Sequence, residues 1–267
     1  MERLATIMVD SLQNETNSTE ISDLRGIRAV VFDAVGTLMY PQPSVAEAYR
    51  CAMLRHCGVS VSPDRVSAVI RESLNARSTG HDLSTSEPAE HEFWAQLIRD
   101  FCPDSKGFQA CFDDLFAHFA RPDSWGCFSD VDTLFSDLRR TGLKVAIASN
   151  FDLRLNSVCD GLAAISDADC RVISSVVGWR KPAAEFFAAA TKELGISAEQ
   201  TLMVGDDLLN DVRGATAAGL RAAWIRRGSS SSEDVEIPEN VLQLSTLQRL
   251  PELFGCVSVG RTHDEDS

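Results

Sequence analysis

Several features that would define a class of function are missing from this sequence. Its eight cysteines form no CxxC pair and have no histidines at ligand spacing, so the sequence predicts neither a zinc site nor a disulfide framework. No apolar run approaches the roughly 20 residues of a membrane span. The first 26 residues lack the basic start and apolar stretch of a signal peptide. We therefore expect a cytoplasmic protein with reduced thiols and no membrane association.

Basic residues are also scarce. Lysine and arginine total 25 against 39 aspartates and glutamates, which gives a formal net charge of −14. Such a surface repels polyanions and gains nothing from counterion release, so a nucleic acid is not expected as a partner. The 44% of hydrophobic residues in 267 positions can bury one substantial core and a smaller appended unit.

Short apolar runs that end abruptly at polar residues recur along the chain. The three clearest are IRAVVF (27–32), LKVAIA (143–148) and TLMV (201–204), which lead into Asp33, Ser149 and Asp206. Weaker strand candidates cover 171–176 and 222–225, and helix candidates cover 130–140 and 183–194. Such runs are typical of buried parallel strands. Their alternation with helices predicts an α/β fold with a doubly wound, mostly parallel sheet.

Between Tyr40 and about Pro122 the apolar residues follow helical spacing instead. Helices are predicted over residues 45–56, 63–76, 88–101 and 105–119. Ser62 and Ser86 each precede a proline closely, as an N-cap residue precedes the first helical turn. We therefore predict a helical cap domain, 40–122, inserted into a core domain made of 27–39 and 123–255. Unstructured tails are predicted at 1–26 and 256–267.

The segment FDAVGTL (32–38) places a carboxylate at the end of a predicted strand. Asp33 is followed there by Gly36 and Thr37, which makes it a candidate nucleophile beside a loop of backbone N–H donors. Further polar segments are VAIASN, ending at Asn150, WRKP, containing Lys181, and MVGDDLLND, containing Asp206, Asp207 and Asp211. Because the carboxyl ends of parallel strands meet at one edge of a sheet, these side chains are expected in one crevice.

Together the four segments resemble, in content and order, the four motifs of the haloacid dehalogenase-like (HAD) hydrolase superfamily. SNFDLRL and VVGWRKP resemble in particular the branch with a helical cap between the first and second motifs. The resemblance extends from residue 27 to about residue 254. It implies a Rossmann-like core, Mg²⁺ as cofactor, and a small phosphate ester or anhydride as substrate.

The resemblance also implies roles for individual residues. Asp33 would be the nucleophile, Lys181 would neutralise nucleophile and phosphoryl charge, and Ser149 would bind oxygens of the transferred group. Asn150 is assigned to substrate binding as well, with stiffening of its own loop as the alternative. The expected metal ligands are Asp33, Asp206, the backbone carbonyl of Val35 and, in the outer shell, Asp211, which is favoured over Asp207. Physically, a hard cation cancels the repulsion between these carboxylates and a phosphate dianion.

One position departs from the family pattern. Phosphatases of the superfamily carry a second aspartate two residues after the nucleophile, whereas this chain has Val35, which cannot move a proton. General acid–base catalysis contributes roughly 100-fold to 10,000-fold, so the substitution puts phosphatase turnover in question. Three hypotheses follow: a phosphohydrolase, a 2-haloacid dehalogenase, and a low-turnover protein that binds or senses a ligand. The retained acidic residues of the fourth motif favour phosphate chemistry over the dehalogenase.

Overall fold

The predicted buried strands form one parallel sheet. The computed structural model describes residues 24–102, 106–227 and 236–255. Its strands are β1 (Ala29–Phe32), β2 (Met39–Pro41), β3 (Trp125–Cys127), β4 (Lys144–Ser149), β5 (Cys170–Ile173), β6 (Thr201–Gly205), β7 (Arg221–Ile225) and β8 (Leu242–Leu244). Six of them pair in the order β5-β4-β1-β6-β7-β8, all parallel. This confirms the predicted α/β fold with a Rossmann-like sheet.

The centre of the sheet is apolar throughout. Every residue of β1 is buried, and Phe32 lies beside Ile147 of β4 and Val204 of β6. Burial of aliphatic and aromatic side chains on both faces stabilises these strands. Since β1, β4 and β6 are neighbours and parallel, the residues that follow or end them lie together at one edge. Asp33, Ser149 and Asp206 occupy those positions.

The remaining core elements show where the predicted boundaries were wrong. The helices here are α5 (Leu134–Arg140), α6 (Arg154–Gly161), α7 (Ser174–Val177), α8 (Ala184–Leu194) and α9 (Gly214–Ala217). The helix predicted over 130–140 begins only at Leu134 because Asp130 accepts hydrogen bonds from Arg227, Thr246 and Leu247. The strand predicted over 171–176 ends at Ile173 and continues as α7. The pairing of β2 with β3, and β8 at the sheet edge, were not predicted.

Four helices lie between β2 and β3 in the sequence, and we call them the inserted helices. They are α1 (Val45–Ala52, continued by a π-helical turn at Met53–Cys57), α2 (Pro63–Thr79), α3 (Glu87–Phe101) and α4 (Phe108–His118). The predicted N-caps are confirmed: the Ser62 hydroxyl accepts from the Arg65 N–H and the Ser86 hydroxyl from the Ala89 N–H. The fourth helix was predicted to start at Ser105, but α4 starts at Phe108. Ser105 itself lies outside the described residues.

The inserted helices rest on the core through backbone hydrogen bonds near Lys181. The Thr85 N–H donates to the Gly178 carbonyl and the Arg180 N–H donates to the Leu83 carbonyl, each at 2.9 Å. Glu87 at the start of α3 accepts from the Leu153 N–H at 2.9 Å. The exact boundaries of cap and core stay a prediction.

Two further predictions concern other parts of the chain. The predicted tail at 256–267, and the predicted tail at 1–26 up to residue 23, lie outside the described residues. Within the ranges that are described, no helix is both long enough and apolar enough to cross a bilayer.

Candidate active site

Three carboxylates meet at the carboxyl edge of the sheet. Asp33 follows β1, Asp206 follows β6, and Asp211 lies in the π-helical turn Leu208–Arg213 after β6. Oxygen atoms of the three side chains all lie within 4.8 Å of one another. Asp211 is 1% exposed and Asp33 is 8% exposed, whereas Asp206 faces solvent. The sheet topology therefore brings together three of the side chains that the sequence motifs single out.

Lys181 supplies the positive charge of this cluster. It is 2% exposed, and its Nζ donates to Asp33 Oδ1 at 2.6 Å, to Asp211 Oδ1 at 2.7 Å and to the Ala148 carbonyl at 2.9 Å. An ammonium group has three donor hydrogens, and here each has an acceptor. The contact with Oδ1 of Asp33 fixes the orientation of that carboxylate. Lys181 thus connects Asp33 at the end of β1 with Asp211 beyond β6.

Burial raises the pKa values of all three carboxyl groups despite the nearby charge of Lys181. Burial raises the pKa of Asp33 to about 6, against the lowering effect of Lys181. Burial likewise raises the pKa of Asp211 to about 7. The pKa of Asp206 rises to about 6, through desolvation in the crevice and then the charge of Asp211, although its side chain remains open to solvent on one side. Burial alone would lower the pKa of Lys181, but Asp211 and Asp33 raise it above its usual value.

Small residues allow the carboxylates to come this close. Gly36 has φ +94°, and a Cβ atom at this position would overlap the Asp206 carboxylate. A Cβ atom at Gly205 would overlap the side chain of Asp211. Glycine tolerates both the left-handed backbone and the close approach, which explains a glycine at position 36 of the first motif.

Asp207 and Asp211 have different surroundings. The Asp207 carboxylate faces the backbone and accepts from the N–H groups of Leu209 and Asn210 at 2.8 and 2.9 Å, as an N-cap. The second oxygen of Asp211 accepts from the Asp207 N–H at 3.0 Å. Asp211 therefore lies in the cluster with Lys181, while Asp207 shapes the turn that carries it.

Ser149 ends β4, at the edge of the sheet that carries the cluster, and Asn150 follows it. Ser149 is 4% exposed. The Asn150 amide donates from Nδ2 to the Lys181 carbonyl at 3.0 Å and accepts at Oδ1 from the Lys181 N–H at 2.8 Å. These reciprocal bonds hold the backbone of Lys181 in place. Asn150 thus contacts the loop that carries Lys181, and its assignment to substrate binding stays a prediction.

Val35 lies in the loop that follows Asp33 and lines an apolar cavity. The residue is half-buried and forms a backbone bridge with Met39. Its neighbours around the cavity include Tyr49 and Phe116 of the inserted helices and Phe151 of the core. An aspartate at position 35 would place a carboxylate beside these rings, so valine suits this environment.

Three residues that support the site were not identified from the sequence. Thr37 donates to Asp206 Oδ1 at 3.3 Å, and Trp224 Nε1 donates to the Asp206 carbonyl at 2.9 Å. Arg227 donates to the Thr37 carbonyl at 2.7 and 3.1 Å and forms a salt bridge with Asp130. Thr37 belongs to the first motif and could have been chosen from it. Trp224 and Arg227 follow no local pattern, because their contacts depend on the position of β7 in the sheet.

The cluster fits a hard divalent cation. If all four groups ionise, three negative charges against one positive charge leave −2. Carboxylate oxygens are the preferred protein ligands of Mg²⁺, and the two excess charges match its charge. Among the described residues, Asp33, Asp206 and Asp211 are the sole group of three acidic, histidine or cysteine side chains close enough to hold a metal.

Comparisons with known proteins agree with this geometry. A family model described as haloacid dehalogenase-like hydrolase matches residues 27–219. The chain is 26% identical over 233 residues to haloacid dehalogenase-like hydrolase domain-containing protein 3 of Danio rerio, covering 84% of this chain and 95% of that protein.

Solved structures show the same fold. The HAD-hydrolase YfnB of Bacillus subtilis, bound to magnesium, superposes with a TM-score of 0.66 at 18% identity, covering 85% of this chain and 98% of that one. The L-2-haloacid dehalogenase of Xanthobacter autotrophicus gives a TM-score of 0.64 at 20% identity over the same shares.

Proposed function

This chain belongs to the haloacid dehalogenase-like hydrolase family, and we propose that it is a magnesium-dependent phosphohydrolase acting through an aspartyl-phosphate on Asp33. The observation that carries the proposal is the charge of the site. With all four groups ionised, two excess negative charges around Lys181 would repel any anionic substrate, and a divalent cation removes that repulsion. The proposed substrate is a small phosphorylated molecule.

The residues that would hold Mg²⁺ are Asp33, Asp206 and the backbone carbonyl of Val35. Asp211, which is held by Lys181, would lie in the outer shell and orient the lysine. When bound, the cation would neutralise charge and polarise the phosphoryl oxygens. The structure of YfnB with magnesium supports this choice of cation.

The chain's own residues account for the transfer step. Asp33 would attack phosphorus while Lys181 keeps its carboxylate oriented through Oδ1. The Ser149 hydroxyl, at the buried end of β4, would donate to an oxygen of the transferred phosphoryl group. The bond from phosphorus to the leaving oxygen breaks as the aspartyl-phosphate forms. Water then attacks phosphorus, which releases inorganic phosphate and restores the Asp33 carboxylate.

Val35 sets the limits of this reaction. An alkoxide needs a proton as it leaves, and a valine side chain has none to give. Water attacking the aspartyl-phosphate also lacks a general base at this position. We therefore infer slow turnover with a preference for leaving groups that are stable as anions.

A 2-haloacid dehalogenase is the second candidate, because Val35 would not hinder it. A halide leaves without a proton, so an acid at position 35 is unnecessary. The dehalogenase of Xanthobacter autotrophicus has the same fold. Against this hypothesis stands the acidic cluster, which would repel the carboxylate of a 2-haloacid unless a cation were present.

A third candidate is a low-turnover protein that binds a phosphorylated ligand. It shares the proposed metal site and is also compatible with Val35. It differs from the phosphohydrolase in one measurable respect, since it would bind Mg²⁺ and ligand without releasing phosphate.

One parallel assay separates the three. Phosphate release from alkyl, aryl and acyl phosphates is measured with Mg²⁺ and with EDTA, beside halide release from 2-haloacids. We expect Mg²⁺-dependent phosphate release that is abolished in Asp33→Asn. Halide release without phosphate release would establish the dehalogenase, and stabilisation by Mg²⁺ without either product would establish the binding protein.

A further inference from the structure

A partly open apolar cavity adjoins the loop that follows Asp33. It has a volume of about 190 Å³ and lies where the inserted helices meet the core. Val35 and Asn150 line it from the core, and Tyr49, Ile70 and Leu115 are among the residues that line it from the inserted helices. Val35 is two residues from Asp33, and Asn150 bonds the backbone of Lys181, so the cavity adjoins the loops that carry both side chains.

The polar groups at the cavity wall are largely committed to other partners. Both ends of the Asn150 amide bond the backbone of Lys181. Arg154 is paired with Asp152 at 2.6 Å and lies 3.8 Å from the ring centre of Phe116. The guanidinium is therefore neutralised and does not offer a free charge to a second anionic group. The hydroxyl groups of a ligand bound here would lose their hydrogen bonds to water and would face aromatic rings without a new partner.

Tyr49 carries the one hydroxyl among the side chains that line the cavity. The residue is 2% exposed. Burial raises the pKa of this phenol, so it stays protonated. It adds a single polar atom to a wall that is otherwise made mainly of aliphatic and aromatic carbon.

The size of the cavity limits its occupant. An apolar cavity of roughly 150 Å³ accommodates a benzene ring. At about 190 Å³ this cavity has room for one six-membered ring and little more. The hydroxyl groups of a sugar phosphate would lose their hydrogen bonds against this apolar wall, which disfavours such substrates.

Building on the proposed phosphohydrolase activity, we propose that the substrate is a phosphate monoester of a small phenol, with its ring in this cavity. Two separate observations lead to the same class. The cavity selects a single apolar ring, and Val35 selects a leaving group that departs as an anion without a proton donor. A phenolate satisfies both, because the ring is apolar and spreads the negative charge of its oxygen.

The reaction balances without any further reactant than water. A carboxylate oxygen of Asp33 bonds to phosphorus, and the bond from phosphorus to the phenol oxygen breaks. The phenolate keeps the electron pair and takes a proton from solvent after it leaves. Water then bonds to phosphorus, the bond from phosphorus to the Asp33 oxygen breaks, and phosphate and a proton are released.

Three probe substrates separate the effect of the cavity from the effect of the leaving group. Phenyl phosphate has the ring and the good leaving group, cyclohexyl phosphate has the volume without the leaving group, and acetyl phosphate has the leaving group without the ring. With Mg²⁺ we expect kcat/KM for phenyl phosphate at least about 100-fold above that for cyclohexyl phosphate. We expect the KM for phenyl phosphate to be at least about tenfold below that for acetyl phosphate.

Variants test whether the ring occupies this cavity. Leu74 lines it and is 40% exposed, whereas Leu54 does not line it and is 50% exposed. Leu74→Trp and Ile70→Phe should raise the KM for phenyl phosphate at least about tenfold relative to that for acetyl phosphate, while the matched control Leu54→Trp should leave both unchanged. Melting temperatures close to wild type confirm that the variants fold.

The outcomes distinguish this proposal from the phosphohydrolase proposal. Equal KM values for phenyl and acetyl phosphate, or no effect of Leu74→Trp and Ile70→Phe, would overturn the assignment of the cavity while leaving phosphate hydrolysis intact. If no probe releases phosphate, the proposed function fails, and binding of phenylphosphonate then tests the cavity assignment separately. The assignment is upheld if phenylphosphonate raises the melting temperature, methylphosphonate does not, and the rise is lost in Ile70→Phe. Equal effects of the two phosphonates would overturn the assignment.

Discussion

Replacing Lys181 by methionine removes the one ammonium group that holds Asp33 and Asp211 together. The substitution keeps most of the side-chain volume and leaves two buried carboxylates without their partner. Breaking a buried ion pair from one side costs about 3–5 kcal/mol. For a domain of this size, such a loss lowers the melting temperature by about 6–20 °C.

The decrease in melting temperature of Lys181→Met should depend on pH. The pKa values of Asp33 and Asp211 are already raised to about 6 and about 7, above the usual range of an aspartate, and removal of the lysine charge raises them further. Carboxyls with raised folded-state pKa values favour the fold at low pH, and that contribution is lost as the pH rises through those values. In Lys181→Met both groups are mainly protonated at pH 5. At pH 8 the fold must either keep them protonated or bury them ionised, so the cost is largest there.

Thermal unfolding by circular dichroism at pH 5 and pH 8, in EDTA, checks this prediction. We expect the decrease in melting temperature for Lys181→Met to be at least about twice as large at pH 8 as at pH 5. Lys192→Met, at an exposed position on α8, is the matched control and should change little at either pH. An equal decrease at both pH values would show that Lys181 contributes packing rather than charge, and would refute the reasoning.

Three further predictions follow from the site. Metal-free protein should lose stability as the pH rises through about 6 to 7, because Asp33, Asp206 and Asp211 have raised pKa values, and millimolar Mg²⁺ should raise the melting temperature more at pH 8 than at pH 5. Scanning fluorimetry should show a weaker Mg²⁺ effect in Asp206→Asn, and equal melting curves with Mg²⁺ and EDTA would count against a metal site. Val35→Asp should raise alkyl-phosphate hydrolysis at least about tenfold in steady-state kinetics, and slower hydrolysis would mean that another residue donates the proton. Gly36→Ala should lower kcat/KM about 100-fold, because its methyl group would displace Asp206, whereas Gly142→Ala, with φ +84° and no neighbour within 4 Å, should share only the backbone strain.

The sequence predicted the centre of the fold well because local and global signals agree there. The runs that form β1, β4 and β6 are continuously apolar and end at polar residues, so strand type, strand ends and the meeting of Asp33, Ser149 and Asp206 all followed. Hydrophobic periodicity and N-cap residues were equally informative for the inserted helices. These signals are carried by neighbouring residues and need no knowledge of the tertiary structure.

The features that were missed depend on contacts between distant residues. The β2–β3 pairing joins residues far apart in the sequence, and each strand has three residues, too few for an alternating pattern. Helix α5 starts late because Asp130 is held by Arg227 and Thr246 from the far end of the chain. The cavity next to Val35 is formed by side chains from all four inserted helices and from the core, so the sequence showed the missing aspartate without showing its apolar surroundings.

The central claim is that Asp33 carries the phosphoryl group during turnover. Wild-type protein is incubated with acetyl phosphate and Mg²⁺, quenched in acid, and digested, and the peptide containing Asp33 is analysed by mass spectrometry. We predict one phosphoryl group on Asp33 with Mg²⁺, and none with EDTA or in Asp33→Asn. Phosphate release without any label on Asp33, or undiminished release by Asp33→Asn, would contradict the account.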